Sequence, residues 1–329
     1  MKLLEHFRGR RVLITGGLGF LGSNLALRLV EGGANVTLVD SLIPQFGGNF
    51  RNIGTIRDHV SINISDMRDP ASLDILVRDQ DFIFNLAGQV SHGDSMRDPQ
   101  LDLGVNCVST MNLVEACRKF NTSARLLYTS TRQVYGKPKA LPVSEAHVPE
   151  PIDVNGINKL AAEYYHLLYD RTYGIRSTVL RLTNTYGPRQ KISSARQGVA
   201  GVFIYLALRG ETITLYGDGG QLRDFNYVDD VVEAMLLAMS SDACMGQFFN
   251  LGARPPYSLR NFVDLLREHC RFDVRTIPFP EDSRIIDIGD YYGDYSRFQQ
   301  ASGWQPQIDL REGIARSIDF YRKNKEGYW

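Results

Sequence analysis

Short runs of apolar residues alternate, along the first half of the chain, with longer segments whose apolar positions recur every three or four residues. The first of these longer segments carries Leu21, Leu25 and Leu29 with polar residues between them, and others lie around 104–120 and 155–173. Strands alternating with helices of this length predict βαβ units and a parallel sheet with right-handed crossovers. The predicted strands are Val12–Thr15, Asn35–Asp40, Phe82–Ala87, Arg125–Ser130 and Ile175–Leu182. They are nearly all apolar, which is typical of a sheet covered on both faces.

The pattern changes after about residue 184, where glycines and prolines separate shorter elements. A β/α character returns at 225–251, and two further helices are predicted at 258–270, beginning at Ser258, and at 309–323, beginning at Asp309. The chain is therefore predicted to form an α/β domain from residues 1–183 plus about 224–252. A smaller, discontinuous lobe is predicted from about 184–223 plus 253–329.

Composition excludes several classes of protein. The 329 residues contain 37 Lys+Arg and 37 Asp+Glu, and this zero net charge argues against a general nucleic-acid or acidic-membrane binder. No apolar run approaches the roughly 20 residues of a membrane span. The four cysteines lack metal-site spacing and are too few to suggest a disulfide scaffold. We expect a cytoplasmic protein without a metal site.

A glycine-rich stretch, TGGLGFLG at 15–22, closes the first predicted strand and opens the first predicted helix. Gly16, Gly19 and Gly22 have the spacing that lets backbone approach a pyrophosphate at a helix N-terminus. Asp40 ends the next strand, where a carboxylate accepts hydrogen bonds from an adenosine ribose and repels a 2′-phosphate. These residues predict a dinucleotide site and favour NAD over NADP.

With these residues, the chain resembles the extended short-chain dehydrogenase/reductases, and within them the NAD-dependent nucleotide-sugar epimerase/dehydratase family. The shared landmarks follow in the family's order: TGGLGFLG, Asp66 in ISDMRD, NLAGQV (85–90), Asn106 with STMNLVEA, TSTRQVYG (129–136), Lys159, RLTNTYGPR (181–189), LRDFNYVDD (222–230) and Gly303–Trp304. The stretches AGQV, STRQVYG and PRQ…RQG are most similar to the branch of the CDP-tyvelose 2-epimerases, and the UDP-glucose 4-epimerases share the same frame.

The resemblance implies a Rossmann-type doubly wound sheet that holds NAD through the reaction cycle, a nucleotide-sugar lobe and a homodimer. In the family, the dimer forms through the helices that match 104–120 and 155–173. The resemblance also implies the residues that contact NAD, which are Gly16, Gly19, Phe20, Leu21, Gly22, Asp40, Ser41, Asp66, Met67, Leu86, Ala87, Gly88, Asn106, Thr129 and Lys159.

The family's catalytic residues are matched with one exception. Its members place a tyrosine and a lysine four residues apart on one helical face, and the lysine lowers the pKa of the phenol from about 10. The phenolate takes a proton from a sugar hydroxyl while hydride passes to NAD, and a Ser or Thr contacts the same oxygen. Lys159 and Thr131 match two of these residues. The tyrosine position, in PIDVNGINK, holds Asn155, and an amide is not a useful base near neutral pH.

Three explanations of Asn155 stay open at this point. Another group serves as the base, or redox chemistry has been lost while binding is retained, or the substrate already carries a carbonyl or an activated C–H bond. His92, just beyond the AGQV strand end, is the candidate base, because an imidazole titrates near neutral pH. A surface or hydrogen-bonding histidine is the structural alternative.

Arg132 and Gln133 follow Thr131, where the family's 4,6-dehydratases carry an Asp–Glu acid pair. Neither side chain supplies an acid/base relay, so 4,6-dehydration is disfavoured. Both could instead hold a carboxylate or another polar substituent of the sugar. The structural alternative for Arg132 is a salt bridge.

The resemblance also implies the nucleotide-sugar contacts. Asn184 matches the family asparagine that contacts the diphosphate, Arg223 and Arg284 match the arginines that neutralise it, and Asp287 matches the residue that binds the nucleoside ribose. The remaining predicted substrate contacts are Gln89, Ser91, Gln197, Gly198 and Tyr216.

The predicted function is an NAD-dependent nucleotide-sugar epimerase that oxidises and re-reduces its sugar with a non-standard proton acceptor. Two alternatives remain: a protein that binds NAD and nucleotide sugar with weak or lost redox activity, and a dehydratase or decarboxylase on the same scaffold.

Overall fold

The computed structural model describes residues 2–328, apart from the side chains at positions 2, 195, 282 and 283. A seven-stranded parallel sheet forms its centre, in the order β3-β2-β1-β4-β5-β6-β11. These strands are β1 Arg11–Thr15, β2 Asn35–Asp40, β3 Val60–Ile64, β4 Phe82–Asn85, β5 Arg125–Thr131, β6 Ser177–Leu182 and β11 Gln247–Asn250.

Three two-stranded sheets complete the β-structure. They are β7 Asn184–Tyr186 with β10 Phe225–Tyr227, β8 Ile213–Tyr216 with β13 Val274–Ile277, and β9 Leu222–Arg223 with β12 Tyr257–Ser258. The first two pairs are parallel and the third is antiparallel.

The helices are α1 Lys2–Glu5, α2 Phe20–Glu31, α3 Pro70–Leu76, α4 His92–Arg97, α5 Pro99–Asp102, α6 Ser109–Phe120, α7 Val154–Tyr173, α8 Val199–Arg209, α9 Val228–Ser240, α10 Leu259–Arg267, α11 Glu281–Ile285, α12 Ser296–Ser302, α13 Leu310–Lys323 and α14 Lys325–Tyr328. Short 3₁₀ segments lie at Phe50–His59, Arg132–Tyr135, Ala195–Gln197 and Asp242–Cys244, and a π-helical turn at Leu103–Val108 leads into α6.

Helices cover both faces of the large sheet, as its apolar strands predict. Val12 and Ile14 of β1 pack into the larger apolar core with α2, α9 and the smaller lobe. Leu13, between them, points to the other face and packs with residues of α3, α6 and α7. Because side chains alternate along a strand, a run that is apolar at every position buries both faces. The α/β fold with a doubly wound parallel sheet is confirmed.

The strand order reverses direction between β1 and β4, and this is where an open α/β sheet places its crevice. Thr15 and Asn85 end these two strands side by side, and the Thr15 hydroxyl donates to Asn85 Oδ1 at 3.1 Å. The same hydroxyl accepts from the backbone N–H groups of Leu86 and Ala87, both at 3.1 Å. The loop after β4 is therefore fixed against the glycine-rich turn after β1.

Two details differ from the sequence-based expectation. The strand β3 is absent from the predicted strands, because its residues are at most partly buried and carry no continuous apolar run. The helix expected around 104–120 is two elements, since its first part has the wider π-helical winding. Helices α10 and α13 begin as predicted, capped by the side chains of Ser258 and Asp309. The predicted domain boundaries stay a prediction.

Candidate active site

A cavity of about 930 Å³ lies at the carboxyl ends of the central strands and extends to residues of α8, β8 and β9. One end is formed by the glycine-rich turn after β1 and by the strand ends of β2 and β4. The other end is formed by residues of β8, α8 and the Arg223 region. Most of the predicted site residues therefore share one continuous space.

The glycine-rich turn leaves no room for side chains at two positions. Gly16 has a left-handed φ of +65°, and a Cβ there would lie 3.0 Å from the backbone nitrogen of Ala87. A Cβ at Gly22 would overlap the carbonyl oxygen of Gly16. Gly19 precedes α2, whose first N–H groups face the turn. This bare backbone at a helix N-terminus fits a pyrophosphate, as the resemblance implies.

Asp40 closes the far side of the cofactor end. Its two carboxylate oxygens accept from the backbone N–H groups of Leu18, at 3.1 Å, and Leu42, at 2.9 Å. Burial raises the pKa of the Asp40 carboxyl, and these backbone hydrogen bonds offset part of the effect. The fixed carboxylate places negative charge where a 2′-phosphate of NADP would have to bind.

The other predicted cofactor contacts lie along the same part of the cavity, with one exception. The cavity is lined there by Phe20, Leu21, Ser41, Asp66, Met67, Leu86, Ala87, Gly88 and Thr129. Asn106 does not line the cavity. Its side-chain amide instead pairs with the backbone N–H and C=O of Gln89, both at 3.1 Å, so Asn106 supports the loop after β4 from behind.

Lys159 lies deep in the cavity wall. Its ammonium donates to Thr129 O at 3.1 Å and lies 4.9 Å from the centre of the Tyr128 ring. Burial lowers the pKa of Lys159 to about 8, although the charges of Asp102 and Glu163 act to raise it. Lys159 therefore carries its charge below about pH 8 and loses it above.

Asn155 is almost fully buried and is held by three hydrogen bonds. Its side-chain nitrogen donates to Gln89 O at 2.9 Å and to Asp102 Oδ2 at 3.1 Å. Its backbone N–H donates to Ser95 Oγ at 3.2 Å. Both amide hydrogens are thus committed to the protein, and the residue also lines the cavity. Asn155 is a fixed part of the wall and cannot itself accept a proton near neutral pH.

The partner of Asn155 is a carboxylate with no exposed surface. Asp102 ends α5, and its second oxygen accepts from Asn158 Nδ2 at 2.8 Å. Two side-chain amides from α7 therefore hold the buried charge, and hydrogen bonds to charged groups contribute about 1.5–3 kcal/mol each. The resemblance gave no role to Asp102 or Asn158. A motif comparison does not detect a partner that comes from a different helix.

His92 and Thr131 also line the cavity. His92 is the first residue of α4, and its Nδ1 lies 3.0 Å from Oδ2 of the buried Asp153. Thr131 ends β5, and its hydroxyl oxygen accepts from the backbone N–H of Gln133 at 3.2 Å.

The two residues that follow Thr131 point in different directions. Arg132 lines the cavity, donates to Asn184 Oδ1 at 3.3 Å, and has a buried Nε without a hydrogen-bond partner among the described residues. No ion pair joins Arg132 to a described carboxylate within 4.0 Å. Gln133 does not line the cavity and donates to Asp153 Oδ2 at 2.8 Å. Gln133 thus acts on the protein itself in this structure, rather than on the space where a sugar would bind.

The far end of the cavity collects most of the predicted substrate contacts. It is lined by Ser91, Asn184, Gln197, Gly198, Tyr216, Arg223 and Asp287. Burial lowers the pKa of Arg223 to about 10, and the nearby Arg132 charge acts in the same direction. Arg223 is buried and lies 3.4 Å from Asp287 Oδ1, whereas the neighbouring Arg132 is half-buried. The two neighbouring cations favour an anion at this end.

Two predicted substrate residues lie elsewhere. Gln89 does not line the cavity; its side chain donates to Ser91 O at 2.9 Å and its backbone holds Asn106 and Asn155. Arg284 is exposed on α11 and is not among the lining residues. Its contact with the diphosphate stays a prediction.

Metal ligation and membrane insertion find no support within residues 2–328. No group of three or more described His, Cys, Asp or Glu side chains could hold a metal ion. None of the helices in this range has the length and apolar character needed to cross a bilayer. The four cysteines are unpaired.

The sheet, the glycine turn at its switch point and the buried Lys159 define a dinucleotide-binding enzyme of the Rossmann type. The family model for the NAD dependent epimerase/dehydratase family matches residues 12–252. The chain is 33% identical over 316 residues to a putative UDP-glucose 4-epimerase of Methanocaldococcus jannaschii, covering 95% of this chain and 99% of that protein. It is 32% identical to UDP-glucuronic acid decarboxylase 1 of Xenopus tropicalis, covering 99% of this chain and 75% of the relative.

Among solved structures, the UDP-glucose 4-epimerase of Thermotoga maritima with UDP-glucose superposes with a TM-score of 0.87. It is 31% identical, and the match covers 96% of this chain and 99% of that one. The protein belongs to the NAD dependent epimerase/dehydratase family, and its cofactor is NAD.

The position of Asp40 predicts the cofactor preference. We expect titration calorimetry to give tighter binding of NAD than of NADP, and Asp40→Ala to narrow the difference by removing the carboxylate that repels a 2′-phosphate. Asp69→Ala, which removes an exposed aspartate that caps α3, is the matched control and should leave the ratio of the NAD and NADP affinities unchanged. Equal affinities in the unmodified protein would contradict the assignment.

Proposed function

We propose that the protein is a nucleotide-sugar epimerase that inverts a sugar carbon by transient oxidation and re-reduction. The observation that carries the proposal is one cavity with a glycine-lined pyrophosphate cradle at one end and the cations Arg132 and Arg223 at the other. Lys159, Thr131 and His92 line the same cavity. The relatives named as UDP-glucose 4-epimerases, which match over nearly their whole length, support the same class of reaction.

The end of the cavity near Arg223 binds the nucleotide part of the substrate in this proposal. Arg223 and Asn184 hold the substrate diphosphate, Asp287 binds the nucleoside ribose, and Tyr216 with the Gln197–Gly198 segment frames the base. Arg132 adds a second positive charge beside Arg223 and contacts either the phosphate or a polar group of the sugar. Truncating Arg223 leaves phosphate charge uncompensated, which costs on the order of 1–3 kcal/mol of binding free energy.

Lys159 and Thr131 prepare the sugar for oxidation. The Lys159 ammonium binds the nicotinamide ribose and makes the surrounding wall positive, which stabilises an alkoxide as it forms. The Thr131 hydroxyl hydrogen-bonds the reacting sugar oxygen. Bound NAD would supply the acceptor and donor of the hydride at the reacting sugar carbon.

His92 takes the proton that the family's tyrosine would accept. We place Asn155 at that tyrosine position, and its hydrogen bonds to Gln89 and Asp102 make it a support for the loop after β4 rather than a base. His92 starts the helix that packs against α7 beside Asn155, and it lines the same cavity. An imidazole is a suitable general base near neutral pH.

The competing proposal is a protein that binds NAD and nucleotide sugar without redox turnover. Asn155 is the observation in its favour. Two features weigh against it. Lys159 is buried although burial disfavours its charged form, and a second titratable side chain, His92, is present in the cavity wall. The two proposals predict opposite behaviour for variants of these residues.

We expect His92→Ala to lower the turnover number by about 10²–10⁴-fold, the usual contribution of a general base. The alkaline limb of the pH–rate profile near pH 8, where Lys159 loses its proton, should remain. Turnover is measured by chromatography of a panel of UDP-, CDP-, dTDP- and GDP-sugars, with absorbance at 340 nm as a sign of reduced cofactor.

His59→Ala, at an exposed position of the 3₁₀ segment, is the control and should retain full turnover. The Asn155→Tyr variant distinguishes the two proposals. We expect no gain in turnover, because a phenol cannot replace the amide that holds Asp102 and Gln89. A large gain in turnover in Asn155→Tyr, together with unchanged turnover in His92→Ala, would show instead that the site has lost its redox activity.

We also propose that the protein forms a homodimer through α6 and α7. Exposed apolar side chains lie on these helices, with Ile157, Tyr164 and Leu168 spaced along one stripe of α7 and Phe120 at the end of α6. Such a patch is characteristic of a protein interface.

Light scattering should give a mass of about twice the 37.1 kDa of one chain, and the Leu168→Glu variant should have the mass of a single chain. Leu141→Glu, at an exposed loop position, should leave the measured mass unchanged. A monomeric unmodified protein would refute the interface.

A further inference from the structure

The buried carboxylate of Asp153 lies directly behind His92 and was not among the residues predicted from the sequence. Its side chain has no exposed surface, whereas 33% of the His92 side chain is exposed. One oxygen, Oδ1, accepts from the backbone N–H of Gly156 at 2.6 Å and caps α7. The other, Oδ2, accepts from Gln133 Nε2 at 2.8 Å and lies 3.0 Å from His92 Nδ1. The carboxylate is therefore held by the protein on three sides.

These donors keep Asp153 ionised. Burial alone would raise the pKa of the Asp153 carboxyl, but the contacts with His92, Gly156 and Gln133 outweigh it and hold the pKa below its usual value. A cap at the N-terminus of α7 also places the charge at the positive end of the helix dipole. At neutral pH His92 Nδ1 thus faces a full negative charge.

The orientation of the imidazole follows from this contact. Nδ1 is inaccessible to solvent, so the exposed part of the ring is the opposite edge, which carries Nε2 and lines the cavity. The Nδ1–Oδ2 distance is that of a hydrogen bond, although the N–H direction is off the ideal line. Such contacts in ligand-free sites often align only when substrate binds. A carboxylate at Nδ1 favours the tautomer that carries its proton there and leaves the Nε2 lone pair free.

Among the described residues, Asp153 is the one charged side chain whose ion-pairing atoms lie within 4.0 Å of this nitrogen. The main elements that pack against α4 are α7, α5 and the Ala195–Gln197 turn. Apart from Lys159, Glu163, Asp170 and Arg171 further along α7, the charged side chains of these elements, of their caps and of α4 itself are Asp153, Asp98, Asp102, Arg196, Asp94 and Arg97. Asp94 pairs with Arg97 and Arg196, Asp98 caps α5, and Asp102 binds Asn155 and Asn158.

We propose that Asp153 is a positioning residue that, with Gln133 behind it, fixes the tautomer of His92 and stabilises the imidazolium formed when Nε2 accepts the proton of a sugar hydroxyl. The proton moves from the sugar oxygen to Nε2 and returns to the oxygen after re-reduction, so His92 ends each cycle neutral. Asp153 stays ionised throughout. The catalytic part of this inference rests on the proposed function, whereas the orientation of His92 does not.

Asp153→Asn tests the inference because asparagine is an equally good N-cap. The variant can keep the bond from Gly156 N through Oδ1, and it replaces the charged acceptor Oδ2, which faces His92 Nδ1 and Gln133 Nε2, by an NH2 donor. In ¹⁵N-labelled protein, two-bond ¹H–¹⁵N spectra should show the Nδ1–H tautomer of His92 in the unmodified chain and its loss in Asp153→Asn. An unchanged tautomer would overturn the inference, whatever the activity.

Turnover supplies a separate readout. We expect Asp153→Asn to lower the turnover number by about 10²–10⁴-fold, because the imidazolium formed on proton transfer loses its counter-charge. Asp309→Asn makes the same change at the exposed cap of α13 and should leave the turnover number unaltered. A changed tautomer with unchanged turnover would confirm the pair but contradict the proposed role of His92 in the reaction.

Discussion

The shape of the cavity depends on one buried carboxylate. Asp102, at the end of α5, accepts from Asn155 and Asn158, which project from the first turn and a half of α7. Asn155 in turn fixes the loop after β4, because the same amide nitrogen donates to Gln89 O in that loop. Asn106 holds that loop from the π-helical turn. The segment that lines the cofactor end is therefore fixed by side-chain amides at its back.

This network gives Asn155 a structural task. An amide that donates both hydrogens to buried acceptors neither gives nor takes a proton near neutral pH. In the proposed mechanism, Asn155 therefore positions the loop and His92 moves the proton. The negative charge of Asp102 also acts to raise the pKa of Lys159, which burial lowers to about 8. The network thus supports the positive charge of Lys159.

Part of this arrangement was predictable from the sequence. The strands β1, β2, β4, β5 and β6 were found from continuous apolar runs, and the glycine turn from its spacing, because both signals are local. Ser258 and Asp309 were found as helix caps for the same reason. Strand β3 was missed, since a partly buried edge strand needs no continuous apolar run.

The contacts that matter most for the chemistry are not local. Asp102 and Asn155 are 53 positions apart, and Gln133 and Asp153 are 20 apart. Asp153 is recognisable from sequence as a helix cap, but its second oxygen is turned to His92 by the packing of α4 on α7. Gln133 was assigned to the sugar because it follows Thr131, whereas the 3₁₀ turn directs its side chain away from the cavity. Arg284 was assigned from the resemblance alone, and the structure leaves it exposed.

The central claim is that a sugar carbon is inverted by hydride transfer to and from bound NAD, with only an oxygen-bound proton exchanged with the protein. Turnover of the accepted nucleotide sugar in D₂O, followed by ¹H NMR and mass spectrometry of the product, tests it most directly. Our account predicts an inverted carbon that carries no solvent deuterium, because the hydride never leaves the site. Deuterium at the inverted carbon, in a product formed at the enzymatic rate, would show inversion by C–H deprotonation and contradict it.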